Sequence, residues 1–208
     1  VDVFVAETGV KLFTPNDNTG TNGVFSVVVP AGNYYVVCDP PSAALFVSSQ
    51  SSIITVGPSA TTNIGTVTLV PGVALSGTVR NSTTSVVLAG VDIDVDDMAT
   101  GVRIPTPNDN TNATGVFSVV VPANHNYRVS FDPPLGATVS GRQVEGVVVG
   151  TAATSMGFVG LNPGMTVTGT VLGVAGTQTS PVADADLDLN QVLGDQRVYV
   201  FHVFTLSN

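Results

Sequence analysis

The chain contains one eighteen-residue stretch twice, and this repeat decides the fold. Residues 106–123 read TPNDNTNATGVFSVVVPA and residues 14–31 read TPNDNTGTNGVFSVVVPA, so fifteen of the eighteen positions are identical at a spacing of 92 residues. The half that contains VFSVVV is rich in β-branched and aromatic side chains, which is typical of a strand. The half that contains PNDN is typical of a turn. Each copy therefore predicts a turn followed by a strand.

The repeat extends beyond this stretch in both directions. Glycines recur at the same spacing: Gly23 and Gly115, Gly72 and Gly164, and Gly77 and Gly169. Repetition at a fixed period indicates an array of similar units. We predict a complete module over residues 73–164, a first module over 1–72 that lacks its first strand, and a partial third module over 165–208 that holds the first three strands.

The complete module divides into seven short segments with strand-like alternation and turn signals between them. They lie at 73–79, 91–97, 101–106, 115–122, 126–134, 144–150 and 155–161. Seven short strands without a helical segment, in a module of roughly 90 residues, indicate a β-sandwich. The predicted fold class is therefore all-β, with tandem seven-stranded antiparallel modules of the Ig-like or transthyretin-like kind.

The alternation also predicts which side chains face the core. In residues 126–134 the inward set is Tyr127, Val129 and Phe131, and in the first copy the same places hold Tyr34, Val36 and Cys38. Cys38, the only cysteine, therefore stands at a core position. A buried thiol without a basic neighbour behaves as a small apolar side chain, so we expect it to be structural rather than nucleophilic.

Composition and charge exclude several classes of function. The chain of 208 residues is 43% hydrophobic and 10% charged, with a formal net charge of −9 from six basic and fifteen acidic residues. Proteins that bind nucleic acids need a cationic surface for the phosphates, so we expect no nucleic-acid partner. No apolar run reaches the length of about 18 residues that a membrane span needs, so we expect no membrane insertion.

Three motifs of the complete module, GVALSGTV, LAGVDIDV and TGVFSVVVPANHNYRVSFDPP, resemble the carboxypeptidase regulatory-like domain of the transthyretin-like sandwich group. The resemblance covers residues 73–164 and the matching parts of both neighbours. It implies non-catalytic modules, often strung in tandem on secreted or surface-anchored bacterial proteins, and it brings no catalytic residues to carry over. The loop between Asp109 and Gly115 is longer than the tight Asp-Gly turn usual in that family.

No pattern in the sequence predicts an enzyme. His125 and His202 fall at non-equivalent repeat positions. The sequence contains no His-x-x-x-His motif and no cysteine pair, so we expect no zinc site. The serines lack a G-x-S-x-G elbow, and the two glutamates, Glu7 and Glu145, stand at unrelated module positions. We therefore expect no catalysis and no required cofactor.

An intramolecular isopeptide bond is not expected either. Such a bond is a covalent modification, and it needs a lysine that faces Asn or Asp across the core. Residues 73–164 contain no lysine, and Lys11 of the first copy lies beside a turn.

Acidic residues near the strand ends predict one candidate metal site, for calcium. Strands that alternate in direction bring Asp92, Asp109 and Asp132 to one end of the sandwich. The first copy is expected to place three aspartates at the same positions: Asp2, Asp17 and Asp39. Carboxylate and Asn carbonyl oxygens are ligands that Ca²⁺ prefers, and clustered like charges favour a cation. The alternative is turn chemistry, in which Asx side chains bond their own backbone, and the loop lacks the spacing of a dedicated calcium loop.

These features predict a non-catalytic structural protein that serves as an extracellular or cell-surface stalk, spacer or fibre segment. Its partners are the neighbouring modules of the same chain, joined by a short Pro-Gly linker, and identical subunits if a strand from another chain completes the open first module. The competing explanation of that open module is that the chain is a segment of something longer. The alternative function is a carbohydrate- or protein-binding, adhesin-type accessory module of a secreted protein. Sugar platforms rely on exposed aromatic rings, and here Trp is absent and aromatic residues make up 6%.

Overall fold

Strands dominate the regular structure of the chain. The structure is a computed structural model that describes residues 1–58, 61–165, 167–183, 185–193 and 196–204. In these residues fifteen strands and one short 3₁₀ turn, Ser42–Ala44, are present, and no helix is long and apolar enough to cross a membrane. The chain divides into two compact units, Val1–Pro163 and Gly164–Asn208.

Seven strands of the first unit form the sandwich predicted for residues 73–164. They are β5 (Val73–Asn81), β6 (Asp92–Asp97), β7 (Arg103–Ile104), β8 (Val116–Val121), β9 (His125–Asp132), β10 (Arg142–Val149) and β11 (Thr154–Leu161). One sheet has the order β10-β9-β6-β7 and the other has the order β11-β5-β8. The all-β prediction is confirmed. The pairing of β5 with β11 is parallel, whereas the other described pairs of this sandwich are antiparallel.

Alternation along these strands builds the core between the two sheets. The inward residues include Tyr127, Val129 and Phe131, all fully buried, as predicted. The ring of Phe117 packs edge-on against Phe131, with 5.7 Å between the ring centroids. Gly77 of β5 lies under the Phe117 ring, and a Cβ there would stand 2.7 Å from the ring atom Cε1. Close packing of this kind leaves no room for a side chain at position 77.

The first copy reproduces one of the two sheets. Its strands are β1 (Asp2–Val5), β2 (Gly32–Cys38), β3 (Ser49–Gln50) and β4 (Ile54–Val56), and the other three all pair antiparallel with β2. The predicted core positions Tyr34, Val36 and Cys38 are buried. Burial raises the pKa of the Cys38 thiol, as expected for an inert core side chain.

The two copies meet at Gly72, inside the first unit. The Gly72 amide donates a hydrogen bond of 2.8 Å to the Leu45 carbonyl, and the Val47 amide donates one of 2.9 Å to the Val70 carbonyl. A Cβ on Gly72 would lie 2.6 Å from Cγ1 of Val120. Backbone hydrogen bonds therefore fix the linker to the first copy, and the linker approaches the second copy at Val120 so closely that only glycine fits there.

The second unit consists of two antiparallel hairpins. They pair β12 (Leu172–Ala175) with β13 (Gln178–Pro181) and β14 (Asp186–Leu193) with β15 (Gln196–Phe204). The partial third module with three strands, predicted for residues 165–208, stays a prediction. Gly176, at φ 64°, closes the first hairpin in a two-residue Gly-Thr turn that strand alternation alone does not reveal.

Candidate functional site

The Asp between two Asn closes the same turn in both copies. The Thr106 hydroxyl donates a hydrogen bond of 2.7 Å to the Asp109 carboxylate, and the Thr14 hydroxyl donates one of 2.8 Å to Asp17. The residue before each Asp is an asparagine in the left-handed region: Asn16, at φ 58°, and Asn108, at φ 56°. Asn tolerates this region better than most side chains do, so the T-P-N-D sequence specifies the turn locally.

The two equivalent carboxylates differ in proton affinity. Burial raises the pKa of Asp109 to about 6, and the negative charge of Asp92 adds to this effect while the Thr106 hydroxyl opposes it. The hydrogen bond from Thr14 lowers the pKa of Asp17. The causes of the Asp17 shift include no acidic side chain, whereas Asp92 contributes to that of Asp109. The environment rather than the local turn decides the charge of this residue.

The predicted calcium ligands of the second copy converge in pairs. Asp92 and Asp132 are register partners on β6 and β9, and Asp109 interacts with Asp92. In the part of the chain that the structure describes, no group of three or more His, Cys, Asp or Glu side chains is placed to hold a metal ion. The calcium site stays a prediction.

The register of the strands corrects the set predicted for the first copy. Asp2 lies opposite Val37 on β2, and Asp94 lies opposite Ser130 on β9. Asp2 is therefore the counterpart of Asp94, and its assignment to the position of Asp92 is wrong. A strand pattern with period two looks the same after a shift of two residues, which is why alternation alone could not detect the error. The other first-copy candidate, Asp39, accepts a hydrogen bond from a serine of its own copy, at position 48.

Basic side chains pair with the acidic face of the equivalent strands β1 and β6. Lys11 lies 2.8 Å from the carboxylate of Asp2, and Arg103 contacts Asp94 in the same way. Surface ion pairs of this kind contribute about 0–1 kcal/mol each. The Lys11 side chain is 54% exposed and ion-paired, which places it at the surface rather than across the core from an amide.

One buried carboxylate at the other end of β6 was not anticipated. Asp97 is 3% exposed and accepts hydrogen bonds of 2.9 Å from the amides of Ala99 and Thr100. Its second oxygen contacts the ring of His125. These hydrogen bonds, the one from the Thr100 backbone first, lower the pKa of Asp97. The contacts are those of a turn cap, and the D-x-x-T spacing could have signalled it.

The first copy has an open cleft of about 1770 Å³ over the inner face of its sheet. Its lining includes Val3 and Val36 of the sheet, residues from the segments 24–29 and 62–69, and, from the second copy, residues 105–108 and 118–120. The counterparts of these two segments are β8 and β11, which flank β5 in the second copy. In the first copy both segments are described without strand pairing.

The open cleft leaves core positions of the first copy partly accessible. Three residues of segment 24–29 are half-buried: Phe25, Val27 and Val29. Their counterparts are at most 3% exposed: Phe117, Val119 and Val121. Phe25 packs against the core cluster of the first copy, although it is only half-buried.

Comparisons with known proteins give structural likenesses alone. No protein-family model matches the chain, and no curated protein matches it. The Bacillus anthracis TIE protein is similar with a TM-score of 0.37 and 15% identity, over 98% of this chain and 37% of that one. The group B streptococcus pilus 2b backbone protein is similar with a TM-score of 0.33 and 16% identity, over 61% of this chain and 52% of that one. The shaft pilin spaA from Lactobacillus rhamnosus GG is similar with a TM-score of 0.33 and 10% identity, over 76% of this chain and 70% of that one.

The chain thus spans 37% of the length of the first of these proteins, 52% of the second and 70% of the third. At these identities and TM-scores the likenesses carry no argument about the family or the function of this chain. Because no family model matches, the resemblance to the carboxypeptidase regulatory-like family also stays a prediction.

Proposed function

We propose that this chain is a non-catalytic structural repeat protein, an extracellular stalk, spacer or fibre segment built of stacked β-sandwich modules at a cell surface. Its work is mechanical: to hold something at a distance under load. The observation that carries the proposal is the parallel pairing of β5, the first strand of the complete module, with β11, its last strand.

Parallel pairing of the first and last strands matters when a module is pulled by its ends. Tension enters β5 before Val73 and leaves β11 after Leu161, and in a parallel pair these two points lie at opposite ends. The load is then shared along the whole row of hydrogen bonds between the strands. An antiparallel pair that is pulled from one end opens its hydrogen bonds one after another. A module with this topology is therefore suited to bear tension along the chain.

Single-molecule force spectroscopy tests the mechanical role. Handles are attached through cysteines in a Cys38→Ala background, either at Pro71→Cys and Pro163→Cys or at Pro71→Cys and Ala123→Cys. The first pair shears β5 against β11. The second pair peels β5 from β8, because Val73 lies opposite Val121 at one end of that antiparallel pair. We expect the shearing geometry to rupture at several times the force of the peeling geometry.

The peeling geometry is the matched control, since both experiments unfold the same module. Equal rupture forces in the two geometries would contradict a load-bearing design. The junction at Gly72 supports the same role, because the linker is hydrogen-bonded to the first copy and packs closely against Val120 of the second, which leaves little slack between the modules.

The alternative function, a carbohydrate- or protein-binding accessory module, is favoured by two observations. Phe13 is 93% exposed and Phe158 is 65% exposed, and exposed rings are what sugar platforms use. The cleft of the first copy is an apolar surface of the kind that binds extended peptides. A glycan array with millimolar or tighter binding would place carbohydrate recognition ahead of the structural role.

A further inference from the structure

The cleft of the first copy lies where the second copy has its central strand, β5. In the second copy β5 pairs antiparallel with β8 from Val73 to Thr78 and parallel with β11 from Leu75 to Asn81. The counterparts of β8 and β11, residues 24–29 and 62–69, contribute to the lining of the cleft. Both are described without strand pairing, and unpaired backbone groups on two sides of a cleft favour the addition of an extended strand.

The inward positions of β5 define which strand fits such a cleft. Leu75 and Val79 are fully buried in the core of the second copy, and Val73 is half-buried. Gly77 stands between them because the Phe117 ring covers that position. Phe25, the counterpart of Phe117, lines the cleft of the first copy. A fitting strand therefore needs apolar side chains at its first, third and seventh positions and glycine at its fifth.

Residues 165–171 of this chain carry that pattern. They read MTVTGTV where β5 begins VALSGTV, so Met165, Val167, Gly169 and Val171 take the four inward positions. Met165 is 95% exposed and Val167 is 76% exposed. A Cβ on Gly169 would meet nothing within 4 Å in the described structure. The segment thus keeps the glycine of a central strand, although no described residue within 4 Å requires a glycine at position 169.

We propose that residues 165–171 of one molecule insert, as the central strand, into the cleft of the first repeat copy (residues 1–72) of another molecule. This proposal rests on the structural role proposed above and names the partner as another molecule of the same chain. The cleft and the inserted segment are different parts of each molecule, so the contact is head-to-tail. Each association leaves one cleft and one segment unused at the two ends of the complex, and a linear fibre results.

Sedimentation velocity of the intact chain, from micromolar to millimolar concentration, tests this association. We expect the mass to rise through whole multiples of the monomer. The variant Gly169→Ile should associate at least about tenfold more weakly, because its side chain would overlap the Phe25 ring in the cleft of the partner. Its own fold, followed by circular dichroism and thermal melting, should be unchanged, since position 169 has open space around it.

The matched control is Thr168→Val, next to Gly169 in the same segment. Its counterpart, Ser76, lies on the outward face of β5 and is half-exposed. A substitution on that face should change the association by no more than about twofold. The control separates a specific fit of the inward face from a general effect of changing the segment.

A labelled peptide measures the cleft directly. The peptide PGVALSGTVRN, with the sequence of residues 71–81, is expected to bind the Gly169→Ile chain, whose cleft is intact. The same peptide with Gly77→Ile should bind at least about tenfold more weakly.

A chain that stays monomeric at millimolar concentration overturns the proposal even if the peptide binds, because the strand that fills the cleft would then come from elsewhere. Equal association of the native chain and the Gly169→Ile variant also overturns it. Neither result bears on the mechanical role, which the pulling experiment tests on the complete module alone.

Discussion

Asp17 and Asp109 occupy the same place in two copies of one turn and differ in how tightly they hold a proton. Both accept a hydrogen bond from the threonine three residues earlier, and this bond by itself acts to lower the pKa of each carboxyl group. In Asp109 the burial of the carboxyl group and the charge of Asp92 outweigh that hydrogen bond. At the scale of the residue, the turn sets the geometry, while burial and the Asp92 carboxylate of β6 set the proton affinity of Asp109.

Replacing Asp109 by Asn is expected to stabilise the protein at neutral pH. Its pKa of about 6, against an ordinary 3.8, means that the folded state binds this proton more tightly than the unfolded state does. The cost of the ionised group is therefore absent below about pH 4, grows up to about pH 6 and is complete above it. Asp109→Asn should raise the free energy of unfolding by about 1–2 kcal/mol at about pH 7.5, after allowance for partial exposure. Urea unfolding at that pH and at about pH 3.5, where no gain is expected, measures the difference.

The matched control is Asp17→Asn, because the pKa of Asp17 is shifted in the opposite direction. The lowered pKa of Asp17 contributes stability above its ordinary pKa, and this contribution is lost as the pH falls. Asp17→Asn should therefore bring no gain at neutral pH. A gain of equal size in both variants would show that the burial of Asp109 and its location next to Asp92 are not the cause.

The calcium hypothesis has a different consequence for Asp109. If Asp92, Asp109 and Asp132 share a calcium ion, millimolar Ca²⁺ must raise the melting temperature relative to chelator, and Asp109→Asn must remove that rise. Identical melting curves of the native chain with calcium and with chelator would leave these residues as turn formers.

At the scale of the element, β5 is the strand on which the second sheet depends. It lies between β8 and β11 and pairs with both, while Leu75 and Val79 fill the core. The sequence segments equivalent to β8 and β11 exist in the first copy, yet they are described there without strand pairing. β-branched composition favours a strand, but a strand forms only when a partner satisfies its backbone hydrogen bonds.

A side chain at position 77 is expected to disrupt this arrangement. In Gly77→Ala the new Cβ would lie 2.7 Å from Cε1 of Phe117, a ring that packs against Phe131 and has little room to move. The free energy of unfolding should fall by about 1–3 kcal/mol, as for overpacked cores. Urea unfolding followed by circular dichroism measures the change. Gly150→Ala is the control, since nothing lies within 4 Å of a Cβ there, and it should change stability by no more than about 0.5 kcal/mol.

At the scale of the whole molecule, the first unit combines a closed sandwich with an open one. The core of the second copy is sealed between two sheets, whereas the first copy has one sheet facing a cleft of about 1770 Å³. At Gly72 the linker is hydrogen-bonded to the first copy and lies close to Val120 of the second copy. Local stability should therefore differ between equivalent positions of nearly identical sequence.

Hydrogen exchange in dilute solution should show this difference directly. The amides of residues 27–29 are expected to exchange much faster than those of their counterparts 119–121, because the latter belong to β8 in a paired sheet. The amides of β2 and β9, both paired in their sheets, serve as the internal control and should both be protected. Equal protection of 27–29 and 119–121 would mean that the cleft is closed in solution.

The sequence by itself determined the all-β class, the seven strands of the complete module, the core positions such as Tyr127 and Cys38, and the turn around Asp109. These features follow from alternation, side-chain branching and local hydrogen bonding, which depend on residues close together in the chain. Only the tertiary structure decided the parallel pairing of β5 with β11, the pairing of Asp2 with Lys11, the opposite pKa shifts of Asp17 and Asp109, and the cleft of the first copy. Each of these depends on which distant segments come together, and alternation with period two is unchanged by a two-residue slip or by the direction of a partner strand.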